Sequence, residues 1–308
     1  MKINRDSLKA RANNISKESN ISSNVVYNRF FYDAFLSRLS KSQYKENYVL
    51  KGGLYLSSVL GVSTRNTMDI DFFAKRINME KEQIVKTIET ICNTDANDGI
   101  TFKVIDATDI RQEDKYGGFQ VRVLGKLENI RHEFVIDIAT GDPVVPSERN
   151  YKYTCLVTGE VLPLKVYSLE SVISEKLQTV LSRSVANSRS KDYYDLYILR
   201  ETQLDNVDIK TLKEAFKQTC NYRNYSIAKE DAISLLDEIE NNQQVKNRWE
   251  TYTKKVKYAD GVDFESVVSD IKKWINDLYW VIKSISESSL NRLSKSSSLL
   301  MTRFFVFW

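Results

Sequence analysis

Two aspartates separated by one isoleucine stand in an otherwise apolar run, TMDIDFFAKR, Thr67 to Arg76. Side chains alternate along a strand, so Asp69 and Asp71 share one face while Ile70 and Phe72 take the other. Neighbouring carboxylates repel, a cost that a divalent cation between them offsets. Oxygen ligands of this hardness suit Mg²⁺ or Mn²⁺. The competing reading is a solvated edge strand that happens to be acidic. A third acid, Asp137 in HEFVIDIATGD, is flanked by Phe134, Val135, Ile136 and Ile138. In a strand apolar on both faces a charge needs a partner or a metal, unless it marks the strand end or caps the following turn. Asp142, just beyond, reads as a turn residue.

Upstream, the apolar YVL is followed by Lys51, Gly52 and Gly53 and then by a short helical stretch. A glycine turn frees backbone N–H groups and lets a phosphate approach, and a helix N-terminus favours anions. The loop STRNT adds hydroxyls at Ser63, Thr64 and Thr67 and a cation at Arg65. Strand, glycine turn, helix, polar loop and acidic strand together place a triphosphate between the turn and a metal.

A second set of charges lies where a core would want apolar side chains. In SLESVISEKLQTVLSR, Val172, Ile173, Leu177, Val180 and Leu181 form an apolar face. At about 100° per residue, Lys176 falls about 40° from Val172 and Arg183 roughly 20° from it. Either these cations point toward an anion, or they snorkel at the rim. The next helix, KDYYDLYILR, is apolar almost all round, yet Asp192 and Asp195 lie one turn apart on it. Arg189 and Lys191 are the nearest candidate partners in sequence.

These groups need elements to hold them. Residues 4–20 and 22–40 read as helices, MEKEQIVKTIETICN as another, and strands are expected at YVLKGG, TMDIDFF, ITFKVIDATDI, FQVRVLGKL and HEFVIDIA. From Ser168 onward, helices are expected over 168–183, 190–202, 208–219, 228–244, 245–257 and 263–283. The pattern is α+β: a mixed-sheet domain with flanking helices over 1–165, followed by a mainly helical domain over 166–308. The eight serines of 284–298 predict a mobile tail. Of 308 residues, 42% are hydrophobic and 28% charged, enough to bury a core. One histidine, His132, leaves little material for histidine-based metal centres or serine-type triads. Three widely spaced cysteines and a polar start suit reduced thiols in a cytoplasm, and no run approaches the roughly 20 apolar residues of a membrane span. Residues 1–50 hold nine Lys/Arg against four Asp/Glu, and 241–308 hold eleven against seven. Basic ends around an acidic middle suit a polyanionic partner, or are ordinary solubilising charge.

The KGG, the fifteen residues from Gly53 to D-I-D-F, the single-acid strand, and SEKLQTVLSR with SKDYYDLYIL together resemble the DNA polymerase β type of nucleotidyltransferase. Within that superfamily they resemble the AbiEii toxin branch of type IV toxin–antitoxin systems. The fifteen-residue gap exceeds the general superfamily spacing, but Arg65 and Thr67 match the Arg and Ser/Thr that precede D-I-D in the AbiEii branch. The similarity covers roughly residues 25–200. It implies a nucleotidyltransferase core followed by a helical domain that contributes Lys176 and Asp192. It also implies metal-dependent transfer of nucleotides from an NTP to RNA, with the tRNA 3′ acceptor end as the expected target. On that basis Asp69, Asp71 and Asp137 would hold metal, with Asp137 also the base. Gly52, Gly53, Arg65, Thr67 and Arg183 would contact nucleotide, Lys176 would neutralise the triphosphate, and Asp192, or else Asp195, would be the last catalytic acid. A winged-helix antitoxin encoded nearby and a role in abortive infection are further expectations. Transfer to a small molecule such as an aminoglycoside, or a silent nucleotide- or RNA-binding module, are the competing readings.

Overall fold

The computed structural model describes residues 3–110, 117–141 and 143–279. The serine-rich tail and Asp142 lie outside them. The chain divides into two compact units, one ending at Ser168 and one beginning at Leu169.

The first unit opens with α1 (Arg5–Glu18) and α2 (Ser23–Lys41). Asn4 starts α1 by accepting the Ser7 N–H at 2.9 Å, the usual way a side chain satisfies an orphan helix donor. α2 is buried along most of its length, with Phe30, Phe31, Phe35 and Leu39 packed inward. It also carries buried charges, each with partners. Arg29 bonds Asp33 at 3.2 Å and the Ser57 hydroxyl at 2.9 Å, while Asp33 accepts from Tyr153 and from the Leu156 N–H, both at 2.6 Å. Arg38 grips Asp98 with two bonds of 2.8 Å.

After α2 come β1 (Tyr48–Lys51), α3 (Gly52–Leu60), β2 (Asp69–Ala74) and α4 (Lys81–Cys92). β3 (Ile100–Ile110), β4 (Gly118–Leu127) and β5 (Ile130–Ala139) follow, then β6 (Arg149–Thr154) and β7 (Val161–Val166). They form one seven-stranded mixed sheet in the order β3-β4-β5-β2-β1-β7-β6. β2 runs parallel to β5 and β1 parallel to β7, and the other neighbours are antiparallel.

The β6–β7 hairpin is absent from the expectations above. Pro163 interrupts the alternation VLPLKV, and a proline inside a run argues against a strand. Here β7 meets β1 in register only at Leu50↔Val166, so at Pro163 that flank has no ladder to supply. β5 also differs from expectation. Phe134, Ile136 and Ile138 are buried, whereas Val135 and Asp137 are half-exposed. Asp137 therefore does not sit in a strand apolar on both faces; it belongs to an open face.

The second unit comprises α5 (Leu169–Arg183), α6 (Ser190–Gln203), α7 (Ile209–Tyr222), α8 (Lys229–Asn241), α9 (Gln243–Lys255) and a last helix, α10, over 264–279. Asn242 separates α8 from α9 by accepting the N–H groups of Gln244 and Val245 at 3.0 and 3.2 Å. The fully buried Trp274 of α10 donates its indole N–H to the Leu196 carbonyl of α6 at 3.0 Å. Cys92, Cys155 and Cys220 are free and buried. Among the described residues no helix is long and apolar enough to cross a membrane.

Candidate active site

The open face of the sheet carries one row of polar side chains across four strands. Lys51 of β1 stands opposite Asp71 of β2, Asp71 opposite Asp137 of β5, and Asp137 opposite Gln120 of β4. Asp69 lies two residues before Asp71 on the same half-exposed face, since β2 alternates half-exposed and buried positions from its first residue. One carboxylate oxygen from each of Asp69, Asp71 and Asp137 lies within 4.8 Å of the other two. Three hard oxygen donors converging from two parallel strands, all half-open to solvent, fit a divalent cation such as Mg²⁺ or Mn²⁺.

The surroundings orient these acids. Gln120 Nε2 donates to Asp137 Oδ1 at 3.0 Å, and the Gly53 N–H reaches Asp71 Oδ2 at 3.4 Å. The Thr67 hydroxyl donates to Asp69 Oδ1. Lys51 is buried, with its ammonium 5.0 Å from the centre of the Tyr167 ring. The hydroxyl of buried Tyr32 has no hydrogen-bond partner among the described residues. Burial first, and the charge of Asp69 second, push its pKa up.

The glycine turn packs against the acids. Gly52 has φ +63°, and a Cβ built there would fall 2.0 Å from Asp71 Oδ2. A Cβ on Gly53 would fall 2.6 Å from the Thr67 hydroxyl and 3.3 Å from an Arg65 Nη2. Arg65 is thus a buried neighbour of Gly53 and Thr67. The turn, the STRNT loop and the D-x-D strand meet at one place.

In the helical unit, Lys176 of α5 bridges two acids of α6, Asp192 at 2.6 Å and Asp195 at 2.8 Å. Asp195 is fully buried, and the Lys176 side chain is 14% exposed. Burial pulls the Lys176 ammonium down, but the charges of Asp192 and then Asp195 overcome it and hold its pKa above the ordinary value. The partner of the α6 acids is therefore Lys176, not Arg189 or Lys191, both of which are exposed. Arg183 is exposed too, rather than on the buried face of α5, because it is the last residue of that helix.

Lys51 stands in the sequence only as the first residue of KGG, with no role read from it, and Gln120 and Tyr32 carry no signal there. The first two become visible only through the register of strands far apart in the chain, and Tyr32 is one of several aromatic residues on α2 with nothing local to set it apart.

The mixed sheet with flanking helices, followed by helices, is a nucleotidyltransferase-like fold. The chain superposes on JHP933 of Helicobacter pylori with a TM-score of 0.51 at 16% identity, covering 89% of this chain and 99% of that one. A candidate nucleotidyltransferase of H. pylori gives a TM-score of 0.50 at 15% identity, with 86% and 99% covered. Comparison with curated proteins gives no significant match. Residues 34–270 match the family described as "Nucleotidyl transferase AbiEii toxin, Type IV TA system", and the chain belongs to that family.

Proposed function

We propose that the protein transfers nucleotides from an NTP to RNA, with the 3′ acceptor end of tRNA as its target, as the cytoplasmic toxin of a toxin–antitoxin pair serving abortive infection. The observation that carries this reading is the convergence of Asp69, Asp71 and Asp137 beside the Gly52–Gly53 turn. A divalent cation held by the three carboxylates would neutralise the triphosphate and favour ionisation of the attacking hydroxyl. Gly52 and Gly53 let the turn close on Asp71, Thr67 and Arg65, which sets the start of α3, a favourable place for an anion, beside the acids. Thr67 and Arg65 line the same turn, and Gln120 fixes the carboxylate of Asp137.

In the transfer, the 3′-hydroxyl oxygen bonds to the α-phosphorus, the bond from that phosphorus to the bridging oxygen breaks, and pyrophosphate leaves. The hydroxyl proton passes to an Asp137 carboxylate oxygen. Such reactions depend chiefly on positioning and charge neutralisation. The family resemblance assigns Lys176 and Arg183 to the nucleotide and Asp192 to the last acid. A winged-helix antitoxin is the expected protein partner.

The test incubates purified protein with bulk tRNA, Mg²⁺ and each labelled NTP in turn. Label at the tRNA 3′ end that is lost in Asp71→Ala supports the reading, while transfer undiminished in a folded Asp71→Ala protein would refute it.

A further inference from the structure

The helical unit carries a concentration of positive charge that the transfer chemistry does not use. A depression of about 560 Å³ lies between the start of α6 and one side of α9. Its lining includes Arg189, Lys191, Arg248 and Lys255 and not one Asp or Glu. None of the four cations has a carboxylate partner among the described residues. The nearest acids in sequence are engaged elsewhere, Asp192 with Lys176 and Glu250 with Lys254. Elsewhere in the unit Lys246, Lys254, Lys272 and Lys273 pair with acids.

The walls are tied together. The Ser190 hydroxyl donates to the Arg248 carbonyl at 3.5 Å, and the Arg248 guanidinium donates to the Val185 carbonyl. Arg248 Nε is enclosed and donates to no described residue. Tyr252, also in the lining, is braced by Tyr194 and Tyr258. Like charges around one hollow repel, and a polyanion removes that penalty. A run of phosphates beside an aromatic ring is the pattern of single-stranded nucleic acid bound through backbone and base together.

We propose that this depression grips the phosphodiester backbone of the RNA acceptor, with the cations meeting successive phosphates and Tyr252 offering a surface to a base. The identity of the RNA as acceptor rests on the transfer reading; the binding itself does not.

The experiment measures binding of fluorescent tRNA to the full chain across a salt series, without NTP. Lys191→Gln/Lys255→Gln is compared with Lys210→Gln/Lys217→Gln, which removes two cations of α7 outside the depression. Each lost phosphate contact lowers the log–log salt slope by about 0.7, so the first pair should lose about 1.4 in slope and about 25-fold in affinity near 0.1 M salt. The α7 pair should stay within about threefold of wild type. Equal losses in both pairs, or none in the first, would overturn the proposal. Pyrophosphate is the competing probe. If it displaces tRNA from wild type, and the first pair has lost pyrophosphate binding as well, the depression holds a free phosphate chain and the RNA assignment fails. Asp71→Ala should bind tRNA as wild type does. A chain that transfers no label yet loses tRNA binding through Lys191 and Lys255 would refute the transfer reading while supporting this one.

Discussion

Gly52 leaves no room for a side chain because Asp71 occupies the space: a Cβ on the glycine would stand 2.0 Å from Asp71 Oδ2. Gly52→Ala must therefore displace the carboxylate or the turn, and it adds the cost of a positive φ on a non-glycine residue, about 1–3 kcal/mol. Gly61 provides the control, with φ +89° and nothing within 4 Å of the place a methyl group would take. Gly61→Ala should lower the melting temperature and leave pyrophosphate release near wild type, whereas Gly52→Ala should lower both, activity by at least about 100-fold, as expected when a reacting centre is misplaced by about 1 Å. Equal activity in the two variants would remove the turn from the site.

Asp69, Asp71 and Asp137 bear on stability as well as on chemistry. Three adjacent carboxylates cost stability without a cation, so Asp71→Asn should melt at or above the wild-type temperature in EDTA. Mg²⁺ or Mn²⁺ should raise the wild-type midpoint, by about 2.7 kcal/mol in stability at a hundred times the dissociation constant. The same addition should leave Asp71→Asn almost unmoved. Calorimetric scans with and without metal read both effects, and a metal response surviving in Asp71→Asn would place the ion elsewhere.

Lys176 stands between two carboxylates, one of them fully buried. Removing the cation by Lys176→Met strands both, and breaking a buried pair in this way costs about 3–5 kcal/mol. Urea melts of the single variant and of Lys176→Met/Asp192→Asn/Asp195→Asn should show the triple recovering most of that loss. If the single variant loses under about 1 kcal/mol, the bridge is not structural.

His132 is the chain's only histidine, so its titration can be assigned without ambiguity. Its ring stacks on Phe31 and Phe134, and burial lowers its pKa below the ordinary 6.5. With the folded pKa below the unfolded one, the unfolded chain binds more protons in the interval between them. Stability should therefore fall as pH drops through about 6.5 toward the folded pKa, and then stop responding to this group. Proton NMR of the imidazole should give a midpoint below 6.5, and His132→Gln should flatten that part of the stability profile. A midpoint at or above the ordinary value would mean that the ring is solvated or has a carboxylate partner.

The D-x-D strand is legible in the sequence because its spacing of two is the strand period itself, which puts Asp69 and Asp71 on one face whatever surrounds them. The glycine turn is legible for a similar local reason. Asp137 stands out as an isolated charge, but its setting does not, since Val135 looks like core in sequence and lies on the half-open face in the sheet. Gln120 depends on pairing between β4 and β5, with nothing adjacent to mark it, and the place of Lys51 beside the acids depends on pairing between β1 and β2, although the neighbouring glycines are legible. Sequence proximity pairs the acids of α6 with Arg189 and Lys191, whereas helix packing supplies Lys176, sixteen residues before Asp192. Pro163 hides β7 because local propensity says nothing about which flank of a strand lacks a ladder.

The parallel pairing of β2 with β5 also bears on biosynthesis. Asp71 is made 66 residues before its neighbour Asp137, with α4, β3 and β4 synthesised between them. A growing chain thus carries half an acidic centre until β5 has emerged from the ribosome and inserted beside β2. Fragments from aborted translation that end before β5 therefore lack the third carboxylate of the cluster.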